Sequence, residues 1–498
     1  MLENLKYFVK HSIVYSISNV ATKAIGVVLL PLYSVFLSIS EFGVLGILEI
    51  TMSILTEVIN LGLGPALVML SNAQEYSDKK RSALFTIFLT AAVICAIFIL
   101  AGEAFVGFVS KYFGKPEEFN LYLRLSLFII VMRVLNNLMF DKLRADERSM
   151  LYTILSLIKL TVTLGLTIYF VAYAKMSVTG VLYAYILGEG IAFIILFPFI
   201  AVQMQPKFST SIMNASLRFG VPLIFTSIAM MILNVSDRYI LKYFANYATL
   251  GQYDLGYRIA GVLNMFIIMP ISLALMPIAY KMFGTEGDKR YFSKMMTYMT
   301  YVLVWTGLAL SFFSKEIIQL FAHNPDYWPA YKVVPVIVFS YVFFGMRLVA
   351  SLGLYLTKKT KYVAYTTIIA AVINIGLNFI LIPKYGMMAA AYTTLAAFLV
   401  LYLISDRIAA RFYNIPFENL KLFFVIILGT VLYIAVYYLR INFVMDIFLK
   451  IILIIAFPFL LYLLKFYEPV ELQSIKGFYN KWKNPSAWKN NLSRELKK

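Results

Sequence analysis

A chain of 498 residues that is 61% hydrophobic, only 14% charged and carries a formal net charge of +19 does not read as an ordinary soluble domain. Apolar runs long enough to cross a bilayer, about 20 residues each, recur from near Ser12 to Leu464 and leave no room for a globular domain between them. In a soluble protein the charge would point to nucleic acid; here most basic residues fall in short loops between apolar runs, a pattern that reports membrane topology.

In chain order, the opening Met-Leu-Glu-Asn-Leu-Lys stretch lacks a signal-peptide cleavage pattern, and the apolar run behind it reaches Leu37. That run is too long for a signal-peptide core, so the first span is expected to be retained. Helices are predicted near 12–37, 42–70, 82–110, 120–141, 149–173, 178–202, 216–243, 252–280, 292–313, 331–356, 362–383, 387–406, 421–439 and 443–465, about fourteen in all. The fold class is all-α, a polytopic membrane protein.

Alternate loops carry Lys79, Lys80 and Arg81; Lys142, Arg144 and Arg148; Lys207; Lys281, Lys289, Arg290 and Lys294; Lys358, Lys359 and Lys361; and Arg407, Arg411 and Lys421. The opposite loops hold fewer, with Lys111, Lys115, Lys175, Lys242, Lys315, Lys384, Arg440 and Lys450. The asymmetry predicts that the first set, and with it both termini, is cytoplasmic. Cys95, the single cysteine, lies in a predicted span, which excludes an intrachain disulfide.

The chain also repeats itself. Aligning "SISEFGVLGI" with "YATLGQYDLG" sets Gly43 on Gly251, and nearly the same offset sets Gly165 of "TLGLT" on Gly376 of "NIGLN" and Tyr183 on Tyr392. Six helices plus six is the reading, with both halves in the same orientation because six is even. The predicted organisation is an amino-terminal six-helix lobe at 1–202, a polar linker at 203–216, a second six-helix lobe at 217–410, two extra helices at 411–465 and a basic tail at 466–498. The tail interleaves Trp482 and Trp488 with lysines, as an interfacial segment on anionic lipid does; nucleic acid is not an expected partner.

Eleven ionisable residues fall inside predicted spans: Lys23, Glu49, Glu57, Arg124, Arg133, Lys159, Glu189, Asp237, Arg238, Arg258 and Arg347. A charge at mid-bilayer depth costs about 2.5–3.5 kcal/mol even on lenient insertion scales, so such residues are expected to face a wet cavity, a partner or a substrate. Seven are basic, which predicts a net-positive interior.

Asn19 and Lys23 share a face of the first helix, four residues apart. Glu49, Glu57 and Asn60 form a stripe on the second, where a desolvated carboxylate could exchange a proton or bind a cation, or else neutralise a nearby base. Arg133, Asn137 and Asp141 make an i, i+4, i+8 stripe on the fourth helix, and Arg124 points to its other side. Arg258 lies one turn beyond Asp254, within reach of a salt bridge or of an anion. Asp237 and Arg238 are neighbours about 100° apart on a helix; they are expected to tie it to other helices rather than to pair with each other. Lys159, Glu189 and Arg347 carry no further signature.

Guanidinium and ammonium groups facing a cavity suit phosphate. Neither His11 nor His323 has metal-ligand spacing and no phosphate-cradling Gly-rich lysine loop occurs, so neither an enzyme, a cofactor nor ATP hydrolysis is expected. A polytopic glycan polymerase or ligase would need a long outer loop, and all the loops are short.

These features accompany a family resemblance. The segments "FGVPLIFTSIAMMILNVSDRYIL", "GQYDLGYRIAG", "PDYWPAYKVVP" and "AAVINIGLNFILIPKYGMMAAAYTT" resemble the Wzx-type oligosaccharide flippases, in the superfamily that also holds multidrug extruders and lipid II flippases. The resemblance implies two lobes around a central cavity in a bacterial inner membrane. It also implies transport of undecaprenyl-pyrophosphate-linked oligosaccharide from the inner to the outer leaflet for surface polysaccharide such as O-antigen, with membrane lipids and other polysaccharide-assembly proteins as partners. On this reading the substrate-binding residues are Lys23, Arg133, Arg258, Arg347 and Asn19, and the H+ or Na+ coupling candidates are Glu57, Glu49 and Glu189. Gate or structural roles fall to Asp237, Arg238, Asp254, Asn374 and Asn378. A lipid II flippase and a cation-coupled multidrug extruder are the alternatives.

Overall fold

The computed structural model describes residues 28–72, 78–111, 116–439 and 442–473, and every regular element among them is helical. Asn19 and Lys23 lie outside the described residues, as does the basic tail beyond residue 473. Continuous helix is what hydrocarbon demands, since each unpaired backbone amide there costs several kcal/mol. The breaks therefore fall where side chains or glycine can take over.

α1 (Leu30–Phe36) is the end of the first predicted span. α2 (Ile39–Asn60) starts on a capping box: Glu41 N–H donates to Ser38 Oγ at 3.2 Å and Ser38 N–H to the Glu41 carboxylate at 2.8 Å. It stops at Leu61, whose φ of 47° is left-handed, followed by Gly62 at φ 67°. The helix expected over 42–70 is thus two, α2 and α3 (Leu63–Asn72). α4 (Lys80–Ser110), α5 (Pro116–Ala145), α6 (Ser149–Ile168, extended by a π-turn at Tyr169–Tyr173) and α7 (Ser177–Ala201) complete the first half.

α8 (Thr210–Phe244) begins inside the segment expected to be linker, because Ser209 Oγ accepts the Ile212 N–H and caps it there. α9 (Tyr247–Leu263) passes through a π-turn at Asn264–Ile268 into α10 (Met269–Met282), just ahead of Pro270. Then come α11 (Asp288–Phe312), α12 (Ser314–Phe321), a 3₁₀ segment (Pro325–Lys332), α13 (Val334–Ala350) and α14 (Leu352–Leu356). α15 (Lys361–Ala410) holds two predicted spans joined at Gly386, whose φ of 57° and ψ of −136° break the helix; α16 (Asn419–Tyr438) and α17 (Phe443–Leu463) follow. Among the described residues, 12 helices are long and apolar enough to cross a membrane, which makes this a multi-pass membrane protein.

Within the first half α5 packs on α4 and α7, and α6 on α7; within the second, α15 packs on α8 and α13, and α11 on α13. The halves meet chiefly along α2, which lies on α8 and α9, and along α3, which lies on α8. Two backbone crossings pin this seam. A Cβ on Gly43 would stand 2.0 Å from the Tyr247 carbonyl oxygen and one on Gly251 2.3 Å from that of Ile39; at the other end of α2, Cβ atoms on Gly62 and Gly220 would each meet backbone at 2.5 Å. Only glycine permits either approach.

α16 and α17 pack on α11 with most of their apolar surface exposed, and Trp305 Nε1 donates to the Ile454 carbonyl at 2.9 Å. Lys450, counted above with the outer-loop charges, is instead buried in α17 between Glu316 and Asp446, each at 2.6 Å. Lys294 of α11 gathers Glu418 at 2.9 Å, Glu468 at 2.5 Å and Glu471 at 3.3 Å, fastening the ends of α16 and α17. Against the upward push of burial, hydrogen bonds from Lys421, Lys294 and Thr297 hold the Glu418 carboxyl down to about 2.

Candidate functional site

A cavity of about 1090 Å³ opens between the halves, walled almost wholly by the first half with Arg258 reaching in from α9. Its polar lining follows from helical spacing. Glu49, Ser53, Glu57 and Asn60 run down one face of α2, and Arg133, Asn137 and Asp141 down one face of α5. Lys159 of α6 with Tyr185 and Glu189 of α7 close the far wall.

Two ion-pair systems organise this lining. In the first, Glu189 is buried and shared: Lys159 Nζ lies 2.7 Å from Oε2, Arg133 Nε lies 3.4 Å from Oε1, and Asn136 Nδ2 donates to Oε2 at 2.8 Å. The Arg133 guanidinium also stands over the Tyr185 ring, 5.3 Å from its centroid. Two cations thus converge on one carboxylate.

The second system spans the seam. Arg258 reaches Glu49 at 2.6 Å and Asp254 at 2.7 Å, so the intrahelical salt bridge legible from spacing is joined by one across the halves. Asp254 continues to Arg238 at 3.3 Å, and Arg238 to Asp237 at 3.1 Å. The expectation that Asp237 and Arg238 do not pair is therefore corrected. Their Cα–Cβ bonds do diverge, but the arginine stem curls back along the helix, and the Arg238 N–H donates to the same Asp237 oxygen at 2.8 Å. Tyr253 and Thr394 hydroxyls donate to the other oxygen of Asp237.

Asn374 and Asn378 lie outside the cavity, fully buried in the second half, where Asn378 Nδ2 and Ser236 Oγ donate to Asn374 Oδ1 at 3.0 and 3.1 Å. Arg347 does not line the cavity either; it is buried inside the second half with no hydrogen-bond partner for Nε among the described residues. Arg124 faces outward on a salt bridge to Glu103 at 3.1 Å. Among the described residues the lining bases Arg133, Arg144, Lys159 and Arg258 equal in number the acids Glu49, Glu57, Asp141 and Glu189. This described lining is balanced, with a local cationic excess at Arg133 and Lys159, while Lys23 of the expected net-positive interior lies outside the described residues. A count along the chain cannot tell which face of each helix meets the cavity.

The sequence reading missed three contributors. Arg144, counted as a loop charge, lines the cavity and pairs with Asp141 at 3.0 Å. Tyr33 and Tyr185 line it too, and Tyr185 donates to Glu49. The i, i+4 spacing of Tyr185 and Glu189 was the available signal.

The family model described as polysaccharide biosynthesis protein matches residues 8–283, and a model described as MatE matches residues 222–380. An uncharacterised membrane protein of Methanocaldococcus jannaschii is 23% identical over 284 residues, which span 54% of this chain and 53% of that protein. Among solved structures, the lipid II flippase MurJ in an inward closed conformation is similar, with a TM-score of 0.74, 15% identity, and coverage of 90% of this chain and 99% of that one. An inward-facing multidrug resistance MATE family transporter gives a TM-score of 0.65 at 13% identity, covering 81% and 95%. At these identities the structural likeness carries the fold.

Proposed function

We propose that this chain, which belongs to the polysaccharide biosynthesis protein family and to the superfamily of multidrug, oligosaccharidyl-lipid and polysaccharide exporters, is a flippase for undecaprenyl-pyrophosphate-linked oligosaccharide. It moves the head group from the inner to the outer leaflet of a bacterial cytoplasmic membrane by alternating access, for surface polysaccharide. The observation that carries this reading is the convergence of Arg133 and Lys159 on Glu189 alone. The two cations leave one positive charge uncompensated on the wall of a cavity large enough for several sugars, and a pyrophosphate supplies the missing anion.

Transport on this reading needs the two glycine crossings of the seam to part in turn, while the head group sits at Arg133 and Lys159 and the polyprenyl chain stays in lipid. Arg258 serves as an anion contact only when Glu49 releases it, so it changes partners with the state of the seam. The test is flipping of a fluorescent undecaprenyl-pyrophosphate oligosaccharide in proteoliposomes under an imposed proton gradient, comparing wild type with Arg133→Ala, Lys159→Ala and Arg258→Ala. Flipping by wild type that falls at least tenfold in the first two variants supports the proposal. Wild-type protein that moves no lipid-linked sugar overturns it.

The balance of acids and bases favours, as second reading, a cation-coupled multidrug extruder, with Glu57 and Glu49 as the acidic contacts. Export of a cationic dye in place of lipid-linked sugar would select it. Transfer of lipid II alone, whose head group also bears pyrophosphate, would narrow the cargo to that lipid.

A further inference from the structure

The short α1 stops at Leu37, whose φ of −109° and ψ of 140° are extended, and the next residue, Ser38, already caps α2. A helix end leaves carbonyls without partners inside the helix. Here the second half supplies a donor: the Tyr327 hydroxyl donates to the Leu37 carbonyl at 3.0 Å and lies 3.5 Å from that of Tyr33. Beside it, the Ser34 hydroxyl is shared between the Pro31 and Phe321 carbonyls at 3.0 and 3.1 Å, and its oxygen accepts the His323 N–H at 3.3 Å. The end of α12 and the 3₁₀ segment Pro325–Lys332 thus clasp the corner between α1 and α2.

The clasp belongs mechanically to the second half. A Cβ on Gly256 of α9 would meet the Ala330 carbonyl oxygen at 2.7 Å, and Gln252 Nε2 donates to the Asp326 carbonyl at 2.9 Å, so the 3₁₀ segment is pressed onto α9 and moves with it. Across the seam the buried Tyr327 ring meets Phe42 of α2 edge-on, with centroids 5.6 Å apart. The Arg258 guanidinium stands 5.2 Å from the centroid of that same Phe42 ring, and Tyr33 lines the cavity. The clasp therefore reaches the lining from the Gly43–Gly251 end of the seam.

Its other end is held from outside the repeat. Glu316 of α12 takes Lys450 of α17 on Oε1 at 2.6 Å, and Lys450 Nζ stands 5.7 Å from the centroid of the Phe313 ring. Glu316 Oε2 is buried with no hydrogen-bond partner among the described residues, so the lysine is what fixes this carboxylate. Only 17% of the α17 span is buried, which leaves this desolvated ion pair, rather than apolar packing, to set where that end of α17 sits.

We infer that α12 and the 3₁₀ segment form a strap that shuts the seam at the end where α1 terminates, and that Lys450 is a positioning residue acting on the strap through Glu316. The charge asymmetry of the loops assigns this end to the outer side. The seam parts there only when Tyr327 leaves the α1 corner, and a shift of α17 acts on that step through the Lys450–Glu316 pair. The inference rests on the two ends of the seam opening in turn, and on no particular cargo.

The test uses the full chain carrying Cys95→Ser and Ser53→Cys, which puts its single thiol on the cavity wall. The rate of reaction with a membrane-impermeant maleimide is measured in sealed proteoliposomes, with reagent added to one face and then to the other. No lipid-linked sugar is present, so a protein that fails the flipping assay still answers here. Tyr327→Phe keeps the ring and removes only the hydroxyl; it is expected to react at least threefold faster than the parent from the face where α1 ends, with no change from the opposite face. Lys450→Met is expected to behave alike. Lys450→Glu combined with Glu316→Lys restores one base among two carboxylates and should return the rate to that of the parent. Equal rates in parent and Tyr327→Phe overturn the strap, as does acceleration from both faces alike, which a general loosening of the fold would give. A Lys450→Met effect that the charge swap fails to reverse overturns the role of α17.

Discussion

Gly43 of α2 and Gly251 of α9 lie backbone to backbone across the seam, and they are the residues that set the register of the internal repeat. A methyl on either would overlap a carbonyl oxygen of the other helix, at 2.0 and 2.3 Å.

Gly43→Leu and Gly251→Leu are therefore expected to force this end of the seam apart and to reduce transport at least tenfold. Cysteine pairs placed across α2 and α9 would cross-link less efficiently in these variants. By contrast Gly165 and Gly376, also equivalent under the repeat, have nothing within 4 Å of a Cβ. Alanine at either should leave transport intact and gain up to about 1 kcal/mol of helix stability, read as a raised unfolding temperature in detergent.

Breaking the Glu49–Arg258 pair leaves charge stranded in a half-buried place, with side-chain exposures of 22% and 18%. Arg258→Leu strands Glu49 and leaves Asp254 with Arg238 alone, so it should destabilise more than Glu49→Gln. Glu49→Gln combined with Arg258→Leu should recover part of the loss, a coupling of about 0.5–3 kcal/mol in a double-mutant cycle. Additive effects would mean that the pair does not hold the seam.

Glu189→Gln removes the carboxylate that Arg133 and Lys159 share. Equilibrium binding of undecaprenyl pyrophosphate should tighten in this variant while flipping slows, because the head group is no longer displaced by the returning carboxylate. Weaker binding would contradict an anion seat at these bases.

The Lys294 clamp has a defined pH dependence. Glu418 is held at about 2 against an ordinary 4.5, so its contribution is complete above the ordinary value and is lost as pH falls toward 2. Lys294→Met should free the ends of α16 and α17 to protease equally at pH 7 and pH 5. The difference from wild type should shrink only below about pH 4.

Much of the fold was legible because hydrocarbon forces long apolar helices, and such runs can be counted. The exceptions are instructive. The expected 42–70 helix is interrupted at Leu61 and Gly62, where α8 crosses through Gly220, a tertiary contact with no local apolar break to announce it. The start of α8 came earlier than hydropathy suggested because a serine cap, not an apolar residue, sets it.

Composition, apolar periodicity and the repeat of glycines determined by themselves that this is a polytopic helical protein with charged residues in its spans, and spacing placed Arg133, Asn137 and Asp141 on one face. Only the tertiary structure decided which charges share a cavity and which are consumed elsewhere. Arg124 turned outward and Arg238 and Arg347 were enclosed in the second half, while Arg144 came in from a presumed loop. The reason is physical: helical spacing fixes which residues share a face, but the direction of that face depends on how helices distant in sequence pack, and the long arginine stem then lets the charge settle several ångströms from its own backbone.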